Sequence, residues 1–262
     1  MNMEPNAVEK LAPLKVVYHP RYEEVYASDP AAAAGRMESI IKEVSPRFEI
    51  VMAEPATVDD LGLVHSDEHT KYIQGMPLTY EIALLAAGGA IKAAEMAMGS
   101  EPAFALIRPP GHHASCDSCW GFCFFNNVAI SIARLRKEAK IKTALILDID
   151  LHFGDGTANI FDSMPEVVYF HPEGRNRQDF VDSISQFLAQ IKADIVAVSA
   201  GFDGHEQDWG GLLKTPDYQT IGKLVKGYAQ RICQGRRYGV LEGGYNYDVL
   251  GKNVKALLEG MS

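Results

Sequence analysis

Residues 143–156 read TALILDIDLHFGDG. TALIL is an apolar run of the length expected of a strand buried on both faces. The run then stops abruptly, and Asp148, Asp150, His152 and Asp155 follow within eight residues. In extended chain, positions 148, 150 and 152 share one face. Ile149, Leu151 and Phe153 take the other face and are expected to pack inward. Two carboxylates and an imidazole crowded at a buried strand end repel or go unsatisfied unless a cation joins them.

The same grammar repeats along the chain. KVVYH (15–19), FEIVM (48–52), AFALI (103–107), TALILD (143–148), EVVYF (166–170), DIVAVSA (194–200) and YGVLE (238–242) read as strands. Helical spacing of apolar residues marks 82–98, 127–139, 179–191, 216–232 and 246–260. Strands that are nearly all apolar, alternating with helices, imply right-handed crossovers and helices on both sides of a sheet. The fold class expected is therefore α/β, three-layered, with a mostly parallel central sheet, and residues 1–262 form one domain without repeat or linker.

Ligands of such sheets gather at the carboxyl ends of the strands. AFALI runs into RPPGHHA with His112 and His113, and TALIL into DIDLHFGDG. DIVAVSA runs into GFDGH with Asp203 and His205, and YGVLE into GGYN with Tyr245. Taken singly, an Asp-x-Asp is usually a solvated turn and a His-His pair is usually packing. Four strand ends that all carry reactive groups point instead to one shared site. Asp and His suit zinc, with iron(II) or cobalt(II) as substitutes. Asp150 and His152 are the first two ligands expected, and Asp203, on a neighbouring strand, is the candidate third. Three protein ligands leave a coordination position open for catalysis.

These motifs resemble the histone deacetylase superfamily, which includes lysine deacetylases, acetylpolyamine amidohydrolases and acetoin-utilisation-type proteins on an arginase-like fold. RPPGHHA (108–114), GFCFFNNVAI (121–130), DIDLHFGDGT (148–157), SAGFD (199–203) and LEGGYN (241–246) stand in the family's order. GRMESI (35–40) and LVHSDEHTKYI (63–73) are similar more weakly. The resemblance implies a metal-dependent amide hydrolase that removes acetyl or another short acyl group from a lysine side chain or small primary amine. It implies Asp150, His152 and Asp203 as metal ligands, His113 as general base and then acid, and His112 as electrostatic aid. Asp148 would pair with His112 and Asp155 with His113, and Tyr245 would donate to the substrate carbonyl. Gly111, Phe122 and Gly201 would line the acyl channel; Trp209, in a stretch that departs from the family, is read either as standing at its mouth or as a packed residue. A structural potassium ion also belongs to the family pattern, but Tyr169 stands where relatives often carry a serine that touches it.

The chain departs from the family by shortening. Only GMPLTYE separates the 63–73 motif from the Ala-rich helix, and HPEGRNRQDF replaces a Gly- and Pro-rich loop that supplies a second channel aromatic. HEQDWGG (205–211) stands where relatives resemble D-P-L-G-G. A shallow site, or one completed by a neighbouring subunit in a homo-oligomer, is expected. Two other readings compete: a non-catalytic acyl-amine or metal-binding module, and an arginase-like binuclear hydrolase with His205 and Asp155 as the spare ligands.

The net charge of −9 argues against direct nucleic-acid binding and mildly favours cationic substrates. No apolar stretch approaches the ~20 residues of a membrane span. MNMEPNAVEKLAPL lacks the basic-then-apolar pattern of a signal peptide, so a cytoplasmic location with reduced thiols is expected. Cys116 and Cys119 form one C-x-x-C without the second pair that a structural zinc site needs, and are read as bystander thiols, with a redox-sensitive pair as the lesser reading. Cys123 and Cys233 are expected to be packed small residues.

Overall fold

The computed structural model describes residues 13–262, so residues 1–12, on which much of the leader reading rests, lie outside the described residues. All seven expected strands form. They are β1 (Lys15–Tyr18), β2 (Glu49–Met52), β3 (Ala103–Ala105), β4 (Ala144–Asp148), β5 (Val167–Phe170), β6 (Ile195–Ala200) and β7 (Arg237–Leu241). They make one sheet in the order β2-β1-β3-β7-β6-β4-β5, and every pairing is parallel.

Two 3-10 helices (Pro20–Glu23 and Pro30–Ala32) and nine α-helices complete the described chain: α1 (Arg36–Val44), α2 (Val58–Leu61), α3 (Asp67–Gln74), α4 (Pro77–Met98), α5 (Asn127–Lys137), α6 (Asp155–Phe161), α7 (Arg177–Leu188), α8 (Thr215–Ile232) and α9 (Tyr247–Met261). One group packs α1 on α9, α9 on α8 and α8 on α7; another packs α3 on α4, α4 on α5, and α5 on α2 and α6. With the sheet these give the three-layer α/β/α architecture. No helix among the described residues is long and apolar enough to cross a membrane.

Burial on both faces holds for β3, β4, β6 and β7, which are buried at every residue. It fails for β2, where Ile50 and Met52 are exposed. β2 is the edge strand, with β1 as its single neighbour, so no helix layer need cover it. The four fully buried strands are consecutive in the sheet, and they are the four whose carboxyl ends carry the histidines, carboxylates and tyrosine.

Two buried histidines hold the loop that follows β3. The His65 and His69 rings stack at 5.0 Å. His65 Nδ1 bonds to the Ser115 carbonyl at 2.9 Å, and its Nε2 accepts the Asn126 N–H at 2.9 Å. His69 Nε2 bonds to the Phe124 carbonyl at 2.8 Å. Burial, reinforced by His69, pushes the His65 pKa down to about 4. An unfolded histidine titrates near about 6.5. Between those values the unfolded chain binds a proton that the folded chain refuses, so the stability contributed by neutral His65 falls as pH drops from about 6.5 towards 4. The expected outcome is a urea midpoint that declines more steeply over this window in the parent protein than in His65→Gln, which cannot take the proton. Parallel slopes would remove His65 as the cause.

Candidate active site

β4 ends at Asp148, and the chain bends through residues 150–152 before α6 begins at Asp155. The bend corrects the expectation of an extended strand to residue 153. Ile149 is buried, but Leu151 is 38% and Phe153 54% exposed, because the backbone has left the sheet and turned its side chains outward.

Two imidazole–carboxylate pairs meet beside this bend. His112 Nδ1 lies 3.0 Å from Asp148 Oδ2, and His113 Nδ1 lies 2.6 Å from Asp155 Oδ1. A carboxylate on Nδ1 fixes the proton there and leaves Nε2 available as an acceptor. The two rings are 4.0 Å apart, and both line the same pocket. Their environments differ. Burial and the neighbouring His112 hold His113 below the ordinary imidazole range. Burial also opposes charge on His112, but the Asp150 and Asp148 carboxylates outweigh it and hold that ring above the range.

Asp150, His152 and Asp203 form the second cluster, with one ligand atom from each lying within 4.8 Å of the others. His152 Nδ1 is 3.2 Å from Asp150 Oδ1, where it can bond, and 3.1 Å from Asp203 Oδ2. Asp203 Oδ2 is buried without a hydrogen-bond donor. Burial and the charge of Asp150 push the Asp203 carboxyl up to about 6. Two buried carboxylates, one with an orphaned oxygen, beside an imidazole make a donor set suited to a divalent cation such as zinc. The remaining oxygens are held by backbone: Gly243 N–H donates to Asp150 Oδ2 at 2.8 Å and Leu151 N–H to Asp203 Oδ1 at 3.1 Å.

A second group, His112, Cys123 and Glu242, also brings ligand atoms together. The His112 ring is engaged with Asp148, and one Glu242 oxygen and Cys123 Sγ with the backbone, while Glu242 Oε1 is buried without a partner. Glu242 Oε2 accepts the Gly111 and His112 N–H groups at 2.6 and 3.2 Å, and Cys123 Sγ takes the His113 N–H at 3.4 Å. His205 and Asp155 join neither group: His205 bonds Gln207 N–H, and Asp155 holds His113 and Trp120. The binuclear reading thus loses its spare ligands.

The pocket over these groups measures about 140 Å³ and is lined by Pro110, His112, His113, Trp120, Gly121, Phe122, Asp150, His152, Trp209, Gly243 and Tyr245. Gly111 and Gly201 are not in this lining. Gly111 faces backbone, with a notional Cβ 2.6 Å from Asn127 N; at Gly201 such a Cβ would sit 2.1 Å from Asp150 Oδ2. Both glycines are needed for close packing behind the site rather than for the channel wall. Gly121 and Gly243 line the pocket in their place.

Tyr245 is framed on three sides. Trp209 stacks on its ring at 4.1 Å, Phe122 meets it edge-on at 5.9 Å, and the Arg36 guanidinium lies 5.5 Å from the ring centre. Asp208 Oδ2 accepts the Tyr245 and Asn246 N–H groups, each at 2.8 Å. Trp209, which by sequence could equally have been a packed residue, is thus at the pocket mouth.

Three residues escaped the sequence reading, and a fourth, Tyr169, entered it only as a departure from the serine of the potassium pattern. Trp120 lies over His113 at 3.9 Å and donates Nε1–H to Asp155 Oδ2 at 2.9 Å. Fully buried Arg36 donates to the Glu242 and Gly244 carbonyls at 2.6 and 2.9 Å. Buried Glu242, raised to about 7 chiefly by burial, grips the backbone of 111–112. Tyr169 donates its hydroxyl to Asp148 Oδ2 at 2.9 Å. Arg36 and Glu242 lay inside recognised motifs and offered that signal, Tyr169 stood out only by replacing a serine, and Trp120 offered none beyond its type. All four cysteines are free, Cys116 exposed and Cys123 and Cys233 buried.

Comparison with known proteins identifies the family and the fold. The family model described as histone deacetylase domain matches residues 73–177 and 171–261. A probable deacetylase of Methanothermobacter thermautotrophicus is 29% identical, over 94% of this chain and 90% of its own length. A probable deacetylase of Archaeoglobus fulgidus is 31% identical over 76% and 70%, and an acetylpolyamine amidohydrolase of Mycoplana ramosa is 32% identical over 71% and 64%. Among solved structures, the HD domain of HDA15 superposes with a TM-score of 0.80 at 23% identity, covering 96% of this chain and 90% of that one.

The packing behind Asp150 leads to a measurable expectation. Gly201→Ala drives a methyl group into the carboxylate, so zinc affinity, read by equilibrium dialysis, should fall about tenfold or more. Unchanged affinity would mean that Asp150 takes no part in holding the ion.

Proposed function

Because the chain belongs to the histone deacetylase family, whose model spans most of it, we propose that this member is a zinc-dependent amide hydrolase that frees acetate, or another short acyl group, from a lysine side chain or a small primary amine. The observation that carries this reading is the meeting of two clusters across one pocket: the His112 and His113 pairs face the Asp150, His152 and Asp203 set, with Tyr245 alongside. Iron(II) or cobalt(II) would suit the same donors.

Asp150, His152 and Asp203 would hold the cation. When bound, such an ion supplies Lewis acidity towards the substrate carbonyl and lowers the pKa of water. The chain's own groups carry the protons. Asp155 keeps the proton of His113 on Nδ1, so Nε2 can take one from the attacking water and later return it to the departing amine nitrogen. Asp148 accepts the Nδ1 proton of His112, and that ring, held charged by the Asp150 and Asp148 carboxylates, faces the same reacting atoms as an electrostatic aid. The Tyr245 hydroxyl donates to the carbonyl oxygen as negative charge builds there. Burial holds its pKa well above the ordinary phenol range, so it stays a donor at working pH. One such donor is worth roughly 3 kcal/mol in a dry site.

The substrate class is supported by the pocket's size and surroundings. A volume of about 140 Å³ suits a small acyl group. A wider cleft of about 550 Å³ shares Trp209 and Tyr245 with it and is lined also by Asp208, Tyr247 and Asp248, a setting that favours a cationic amine.

Two outcomes are expected from a panel of acyl-lysine peptides and acetylpolyamines. Chelation should abolish hydrolysis of every active substrate, and added zinc should restore it; a demetallated protein working at full rate would refute the proposal. Tyr245→Phe should lower turnover at least about tenfold with bound zinc unchanged, whereas full activity would remove the hydroxyl from the chemistry.

A further inference from the structure

Tyr169 lies on β5, the edge strand beside β4, and does not line the pocket. Its hydroxyl makes two bonds. It donates to Asp148 Oδ2 at 2.9 Å and accepts the Gly154 N–H at 2.7 Å. The same Asp148 oxygen receives His112 Nδ1–H at 3.0 Å, and the other oxygen receives Asp150 N–H at 3.1 Å. Asp148 is fully buried, so these donors are what fix its plane. Gly154 caps α6, whose first residue is Asp155, the partner of His113. One phenol hydroxyl therefore touches the carboxylate behind the first histidine and the turn that presents the carboxylate behind the second.

The space confirms how closely these groups meet. A Cβ on Gly154 would lie 2.4 Å from Asp148 Oδ2, 2.9 Å from the Tyr169 hydroxyl and 3.0 Å from His112 Nδ1. Burial, with the Asp148 charge, also holds the phenol far above its ordinary range, which keeps it protonated and a donor. The ring itself packs edge-on against Phe153 at 5.3 Å, a contact that a phenylalanine would retain. Packing accounts for the ring but not for the hydroxyl.

We propose that Tyr169 is a positioning residue for the histidine pair. Its hydroxyl orients Asp148, which aims His112 Nε2 at the pocket, and it pins Gly154 so that Asp155 meets His113. The proposal rests on the hydrolytic reading above for its kinetic consequence, but not for its geometric one.

The test is Tyr169→Phe, together with 4-aminophenylalanine placed at residue 169 to restore a donor on the same ring. Tyr169→Phe should lower kcat about tenfold with KM within about twofold, as loss of a group behind an active histidine does. 4-Aminophenylalanine should recover most of the rate. In proton NMR of the zinc-loaded protein, the downfield Nδ1–H resonances of His112 and His113 should shift in Tyr169→Phe and return with the amino variant. Unchanged kcat and unchanged resonances would overturn the proposal, as would an equal loss in both variants. Should Tyr169→Phe fail to fold, the parent protein decides: a Tyr169 hydroxyl proton with a cross-peak to His112 Nδ1–H supports the proposal, and its absence refutes it. A parent chain that hydrolyses no acyl-amine would sink the hydrolytic reading, while the resonances would still judge Tyr169.

Discussion

Asp150 and Asp203 stand buried in contact distance of one imidazole, and the rest of the site follows from that constraint. Like charges this close in a low dielectric are costly unless something positive joins them. The protein limits the cost with oriented backbone: Gly243 N–H on Asp150, Leu151 N–H on Asp203, and His152 N–H on Asp150 at 3.1 Å. One oxygen, Asp203 Oδ2, is left without a donor. A cluster built in this way is a request for a cation. The fold supplies the rigidity needed to keep asking, because β4 and β6 are buried along their whole length and paired directly.

Around that charge, the protein spends hydrogen bonds on aiming rather than on stability. Asp148 takes three donors, from His112, Tyr169 and Asp150, and Glu242 takes the backbone N–H groups of Gly111 and His112. Arg36, from a distant helix, ties the β7 end by two carbonyls and lies near the Tyr245 ring. The His112 and His113 rings are thus each held by a carboxylate, Asp148 or Asp155, that does not line the pocket. Such support matters because misplacement by about 1 Å can cost about a hundredfold in rate.

The mouth shows how the short chain compensates for loops that it lacks. Trp120 and Trp209 are both more than half exposed, yet Trp120 lies tilted over the His113 ring and Trp209 stacks on that of Tyr245. An exposed indole on a short loop provides wall area with few residues and little conformational entropy. The pocket is consequently small and flanked by aromatics on both sides, beside the shortened loops that the sequence led one to expect.

The order of the seven strands and of five of the nine described α-helices, and the residues at four strand ends, were legible from the chain alone, whereas the shorter α1, α2, α3 and α6 were not. Apolar runs of strand length ending in Asp, His and Gly are local patterns, and local patterns survive in one dimension. Asp150, His152 and Asp203 could be grouped because the parallel α/β rule brings strand ends together whatever the details. What the tertiary structure decided were the relations between distant residues. That β3, β7, β6 and β4 are neighbours is a matter of crossover order, which no single segment encodes. The bend after Asp148 exposed Leu151 and Phe153 against the alternation rule, because backbone bonds to Asp148 and Asp150 outweigh a strand's period once the ladder ends. Trp120, Tyr169, Glu242 and Arg36 have roles set wholly by what lies across from them. A hydroxyl or indole carries no sign in sequence of the carboxylate that it will meet, since that partner arrives only when the sheet closes.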